Sequence, residues 1–216
     1  MPFVRVELVA LCVIEDRLQV LLSQREEEPY KGKWGLPGGV LRIDLDGSLE
    51  AAAQRVAQER LNMRLPNLGQ VAAVGGADRD PRAPWAMSVV FRSLVQADLE
   101  ATPGKRVQAL NWRPVSELFS DNPLAFDHAD LVQHAVRAVQ REIAEMRFPM
   151  GWVPEPFTYG ELQALSEAVL GTSLDKVTFR RRMDAAGMAL PLEGQMRAAG
   201  AHRPAQLYRF TPEPAL

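Results

Sequence analysis

The order of apolar and polar positions divides this chain into two halves. Residues 4–13 are an almost unbroken apolar run of strand length, and residues 18–23 are its hairpin partner across Glu15 and Asp16. Residues 30–39 are punctuated by Gly and Pro and read as a loop. Ser48 is a candidate N-cap for a helix to Leu61, with Leu49, Ala52, Val56 and Met63 marking its apolar side. Residues 71–77 and 87–96 read as strands joined by a loop over 78–82, and residues 109–112 form a short strand leading into 114–118. Residues 127–146 form a long amphipathic helix with Leu131, Ala135, Ala138 and Ile143 inward. Mixed strands between two helices predict an α/β/α sandwich.

After residue 147 the pattern changes. Residues 148–156 hold clustered Pro and Gly, which block regular structure and mark a linker. Thr158 and Glu161 have capping-box spacing, so a helix starts there and runs to about Leu170, stopped by Gly171. Ser173 or Asp175 starts a second helix that ends at Gly187. Residues 188–192 and 205–210, separated by a polar glycine-containing stretch, then read as the two strands of a wing. Helix, turn, helix and two-stranded wing is the order of a winged helix-turn-helix. The expected organisation is therefore a sandwich domain over 1–147, a linker over 148–156 and a winged domain over 157–216.

A length of 216 residues allows one large domain or two small ones, and 47% hydrophobic residues is ordinary for a globular chain. The single cysteine, Cys12, excludes an internal disulfide and lies in the first apolar strand, where a core role is expected. No stretch has the length and apolarity of a membrane span, and the first residues lack a signal-peptide pattern, so a cytoplasmic protein with no membrane partner is expected. The net charge of −2 gives no global sign of nucleic-acid binding. Locally the balance differs: residues 176–209 carry seven cations against only Asp184 and Glu193, a net of +5. Such a patch attracts a phosphate backbone. On the second helix Phe179, Met183 and Ala186 share an inward face, leaving Thr178, Arg181, Arg182 and Ala185 to project outward toward DNA.

Residues 38–63 of the first half resemble the signature of Nudix hydrolases, G-x5-E-x7-R-E-U-x-E-E-x-G-U, where U is aliphatic. Aligned on Arg55, the first Glu of the pattern falls on Gly47 and the Glu after the Arg falls on Val56. Of the paired Glu, Glu59 remains and its neighbour is Arg60; the closing Gly is Asn62. The stretch from Gly39 to Arg55 is two residues longer than the pattern. In that family the glutamates hold magnesium against a diphosphate, and magnesium needs hard oxygen donors to be retained. Asp44, Asp46 or Glu50 are the acids near enough in sequence to substitute. Arg55 and Glu59, spaced i,i+4, otherwise read as a structural ion pair worth about 0.3–0.5 kcal/mol. Arg25 and Arg82 are either phosphate clamps or solvated arginines, and Trp34 is either a core anchor or a stacking surface. His128 reads as a cap of the long helix rather than a metal ligand.

Together the two halves resemble the NrtR family, Nudix-related transcriptional regulators of NAD metabolism. The resemblance is carried by residues 31–39, the altered box 50–60, Asp78-Arg79-Asp80-Pro81-Arg82, residues 124–129, and the C-terminal stretches 157–163, 174–181 and 203–210. It implies a homodimer whose Nudix-like domain senses ADP-ribose or a related NAD product and whose wings bind palindromic double-stranded operator DNA, released when the effector binds. Some relatives respond instead to phosphorylated sugars, and an active ADP-ribose pyrophosphatase is the alternative from a different class. The expected effector residues are Arg25, Trp34, Gly38, Gly39, Arg55, Glu59, Asp80 and Arg82. The expected DNA contacts are Lys176, Thr178, Arg181, Arg182, His202 and Arg203. No catalytic residue, metal ligand or resident cofactor is expected, beyond weak Mg2+ carried with a nucleotide. The chain departs from the common form at Gly35, where Ala is frequent, in residues 44–48, and at His202, where Gly often precedes the Arg-Pro of the wing.

Overall fold

The computed structural model describes residues 3–118, 124–199 and 202–211. The chain forms two compact units, Met1–Val139 and Gln140–Leu216, and the division falls inside a helix.

The first unit is built on β1 (Phe3–Ile14), whose residues 5–12 are all buried. It pairs antiparallel with β2 (Arg17–Arg25) and with the short β4 (Gly38–Val40), and parallel with β6 (Ala83–Leu94). β5 (Gly69–Asp80) joins β6 at one edge, while β3 (Trp34–Gly35) and β7 (Val107–Pro114) join β2. Strand side chains alternate between faces. Val6, Leu8, Ala10 and Cys12 therefore pack on one face, against Ala52, Ala53, Val56, Ala57 and Leu61 of α1 (Leu49–Leu61). The alanines let this helix lie close to the sheet. On the other face Glu7 approaches His128, the first residue of α2 (His128–Ala144). The sheet thus lies between two helices, as the apolar pattern predicts.

Several local readings change. Residues 34–40 supply two short strands as well as a loop. The expected 78–82 loop is mostly strand: β5 and β6 continue to Asp80 and Ala83, and a register shift between Ala77 and Asp80 is absorbed where Asp78 takes a left-handed φ of 60°. At the start of α1, Ser48 Oγ accepts from Ala51 N at 3.1 Å. The helix closes on Asn62 at φ 53°, a left-handed position that Asn tolerates and Gly favours.

The second unit contains α3 (Tyr159–Leu170), α4 (Lys176–Ala186) and the antiparallel pair β8 (Ala189–Ala199) and β9 (His202–Phe210). Thr158 and Glu161 close the capping box on α3 from both sides, at 2.8 and 3.2 Å. Asp175, rather than Ser173, caps α4 by accepting from Thr178 N at 2.8 Å. Gly171 and Gly187 end the two helices in left-handed conformations. Phe179 and Met183 are buried, whereas Ala186, expected inward, is exposed because it is the last residue before that stop. This is the helix-turn-helix with a wing. No helix among the described residues is long and apolar enough to cross a membrane.

Candidate functional site

Five arginines converge on one cleft in the first unit. β1 supplies Arg5, the end of β2 supplies Arg25, α1 supplies Arg60, the β5–β6 turn supplies Arg82, and the residue before β7 is Arg106. The cleft is open to solvent, with a cavity volume of about 50 Å³, and among the described residues its acidic lining is Glu27 and Glu28. Three of the guanidiniums have carboxylate partners. Arg5 Nε donates to Glu7 Oε1 at 2.6 Å, Arg82 donates to both oxygens of Asp80, and Arg106 lies 3.2 Å from Glu27. Arg25 and Arg60 are held by carbonyls instead: Arg25 Nε donates to Pro29 O at 2.6 Å, and Arg60 donates to Gly38 O and Lys105 O, both at 2.9 Å. Burial, with the other arginines adding to it, pulls both of their pKa values down. Guanidiniums stay charged regardless, so the cleft keeps an uncompensated positive charge that a diphosphate can neutralise.

The floor of the cleft explains a glycine. Glu7 is fully buried, and a Cβ on Gly38 would stand 1.6 Å from its Oε2, so no larger residue fits there. Burial lifts the Glu7 carboxyl, against the pull of Arg5. His128 sits beside it and, contrary to the cap expected from sequence, its Nδ1 accepts from Leu36 N at 2.8 Å and so ties the β3–β4 segment to the helix. Burial, with Arg5, Arg25 and Arg79 nearby, holds His128 neutral and well below its ordinary pKa. The departure at Gly35 has its reason here, since a Cβ would lie 2.8 Å from His128 Nδ1. Arg79 makes a two-pronged bond to Asp127 at 2.7 and 3.0 Å.

The altered box behaves as a brace. Arg55 grips Asp46 through two bonds of 2.7 Å and donates to Val40 O at 3.0 Å. The expected pairing with Glu59 is present but longer, at 3.4 Å. Hydrogen bonds from Arg55 hold the Asp46 carboxyl below its ordinary pKa. Val56 is fully buried against Gly39, where a Cβ would meet it at 2.8 Å. Asp44 is exposed beside Arg42, and Glu50 is exposed. A magnesium ion does not fit this donor set: Asp46 is committed to Arg55, Val56 has no donor, and Arg60 brings a cation. Among the described residues no three His, Cys, Asp or Glu are grouped to share an ion.

Of the expected effector residues, Arg25, Gly38 and Arg82 line the cleft and Asp80 holds Arg82. Arg55, Glu59, Gly39 and Trp34 are not among its lining; Trp34 lies instead under Arg113, 4.8 Å from the guanidinium. Arg5, Arg60 and Arg106 are cleft residues that the sequence reading omitted. Arg5 and Glu7 carried a signal, two charges at i,i+2 inside an apolar strand. Arg60 carried another, its place in the box.

In the second unit the surface of α4 is the candidate nucleic-acid interface. Lys176, Val177, Thr178 and Arg181 are exposed on its first two turns. Arg182 is exposed too, but its Nη2 donates to Ala144 O at the end of α2. Arg180 lies over the Tyr159 ring at 6.0 Å and 4.0 Å from Asp184. Arg197 is bound to Glu161 and to Pro156 O, so it braces the wing against α3. His202 and Arg203 belong to the β9 backbone, and their side chains lie outside the described residues.

Comparison with known proteins matches both halves. Residues 149–210 fit the model of the NrtR DNA-binding winged helix domain, and residues 5–135 fit the NUDIX domain. The ADPR responsive transcriptional repressor NtrR of Acinetobacter baylyi is 36% identical over 209 residues, covering 97% of this chain and 82% of its own. The crystal structure of Shewanella oneidensis NrtR with a 27-mer DNA superposes with a TM-score of 0.81 at 31% identity, covering 97% of this chain and 94% of that one. The NUDIX domain of the same protein with ADP-ribose gives a TM-score of 0.60 at 31% identity, covering 64% of this chain and 89% of that one.

Proposed function

The chain belongs to the NrtR family, and we propose that it is a transcriptional repressor whose Nudix-like unit binds ADP-ribose and whose winged unit binds operator DNA. One observation carries the reading. A cleft bordered by Gly38 and by Arg60 of the altered box holds an arginine cluster, in a chain whose other unit presents the basic face of α4. Lys176 and Arg181 serve the phosphate backbone, while Val177 and Thr178 are short enough to meet base edges. Arg182, His202 and Arg203 complete the expected DNA contacts. The protein acts as a homodimer on a palindromic operator, because two-fold protein symmetry matches two-fold DNA symmetry. Its targets are genes of NAD synthesis and salvage.

The unit is a sensor rather than an enzyme: the box lacks the carboxylates that a hydrolase uses to activate water. It needs no resident cofactor. A sensor that bound its ligand and consumed it would erase its own signal. Gel-shift of the full chain on promoter DNA near its own gene, with and without ADP-ribose, tests this. The expected result is a shifted band that ADP-ribose disperses; sugar phosphates in the same assay should leave it intact. By linkage, operator DNA must weaken ADP-ribose binding by the same factor. Failure to bind any such promoter sinks the reading.

A hydrolase reading keeps one observation, the 27% identity over 126 residues to the ADP-ribose pyrophosphatase of Methanocaldococcus jannaschii. It predicts AMP and ribose phosphate on incubation with ADP-ribose and magnesium or manganese. We expect neither product.

A further inference from the structure

We propose that Arg60 stands in for the metal ion, so that this cleft binds a diphosphate without any divalent cation. The inference rests on the effector-site reading above and adds how the charge of the ligand is met.

Arg60 occupies the box position where the hydrolase pattern has a glutamate. The substitution reverses the charge at the place where an ion would be collected. Its guanidinium is also fixed in place. Nε donates to Gly38 O and Nη1 to Lys105 O, each at 2.9 Å, and no described hydrogen bond uses Nη2. Both hydrogen-bond partners are carbonyls, so the side chain is oriented with no carboxylate bonded to it. The same holds for Arg25, tied to Pro29 O and Glu27 O across the cleft. The remaining three arginines already have carboxylates.

A divalent cation would enter a space where five guanidiniums outnumber two glutamates. Coulomb repulsion opposes it, and the carboxylates that would offset that repulsion are absent or paired. A diphosphate meets the opposite situation. It brings the negative charge the cleft lacks, and guanidinium forks match phosphate oxygens in geometry. Burial, with Arg106 and Arg5 acting against the pull of Glu59, lowers the stability of the free cation at Arg60, and a bound anion relieves that. The acidic residues at the rim, Glu27 and Glu28, oppose an anion, but Glu27 is already engaged with Arg106.

The test is calorimetric titration of the full-length protein with ADP-ribose and, separately, with inorganic pyrophosphate, in EDTA and in magnesium chloride. Both ligands should bind in EDTA at least as tightly as in magnesium. Arg60→Gln should weaken binding in EDTA about tenfold or more, the equivalent of roughly 1.4 kcal/mol. Arg60→Lys should fall between. Melting of the unliganded variants checks that each is folded, and the wild-type comparison of EDTA with magnesium stands even if a variant is not. Binding that is tenfold tighter with magnesium overturns the proposal. So does an Arg60→Gln protein that binds like wild type in EDTA, or no binding of either anion under any condition. Metal-free, Arg60-dependent binding of pyrophosphate without binding of ADP-ribose upholds this inference and removes ADP-ribose as the effector.

Discussion

The cleft arginines and two cations of α4, Lys176 and Arg181, have the same chemistry toward phosphate and different states of restraint. In the cleft four guanidiniums are held, Arg5 by Glu7, Arg82 by Asp80, and Arg25 and Arg60 by backbone carbonyls, while Arg106 meets Glu27 at the exposed edge. On α4, Lys176 and Arg181 are exposed on a helix that is capped and backed by Phe179 and Met183. Held arginines present a fixed charge pattern that suits one small anion and lose little side-chain entropy when it binds. Exposed ones suit a polymer, because they adjust along the phosphate backbone and release its counterions. On the proposed function, restraint separates the ligand site from the DNA site although both are built of the same residue type.

Breaking the restraint at its most buried point should have the largest effect. Glu7→Ala strands Arg5, whose side chain is 9% exposed, and should cost the first unit roughly 3–5 kcal/mol in chemical denaturation. A loss below about 1 kcal/mol would show that this pair does not organise the cleft. Asp46→Asn comes next. Its carboxylate is sealed under Arg55, and losing the two-pronged bond should cost about 1–2 kcal/mol. This effect has a pH signature. The folded-state pKa of Asp46 is depressed, so its contribution is present above the unfolded value of about 3.9 and fades as pH falls through the lower folded value. The gap between wild type and variant should therefore close in acid, and a gap that widened there would contradict the assignment.

On the unrestrained side the effects should be smaller and salt-dependent. Arg181→Ala should weaken operator binding by about 1 kcal/mol and lower the slope of log affinity against log salt by about 1. ADP-ribose affinity of the same variant should not change, and a change would mean that the two phosphate sites are not separate. The smallest effect is expected at Glu59→Gln. Its ion pair with Arg55 is 3.4 Å long and secondary to Asp46, so only about 0.3–0.5 kcal/mol of thermal stability should be lost. A loss as large as that of Asp46→Asn would reverse the order of the two partners.

Much of this was legible in the chain. Thr158, Glu161, Gly171 and Gly187 announce the winged unit because caps and stops depend on neighbours within a turn or so. The burial of β1 follows from its apolar run; on α1 the expected Ala52 and Val56 are buried, whereas Leu49 and Met63 are only partly so and Ala53, Ala57 and Leu61 complete the buried face. The cleft was not legible in this way. Arg25, Gly38 and Arg82 were found through loop chemistry and the box, but Arg5, Arg60 and Arg106 are separated by tens of residues and meet only because β1, α1 and the approach to β7 converge. His128 showed the same limit: its position at a helix start suggested a cap, and packing against Glu7 and Leu36 gave it another task.

Sequence by itself determined the two-unit order, the helix ends, the loss of the box acids and the net positive charge of residues 176–209, since each depends on residue type and short spacing. Tertiary structure decided which arginines share a cleft, which of them have carboxylate partners, and that Asp46 is Arg55's anchor. Those outcomes depend on distances between segments far apart in the chain, and electrostatic consequences follow distance and burial, which no local pattern records.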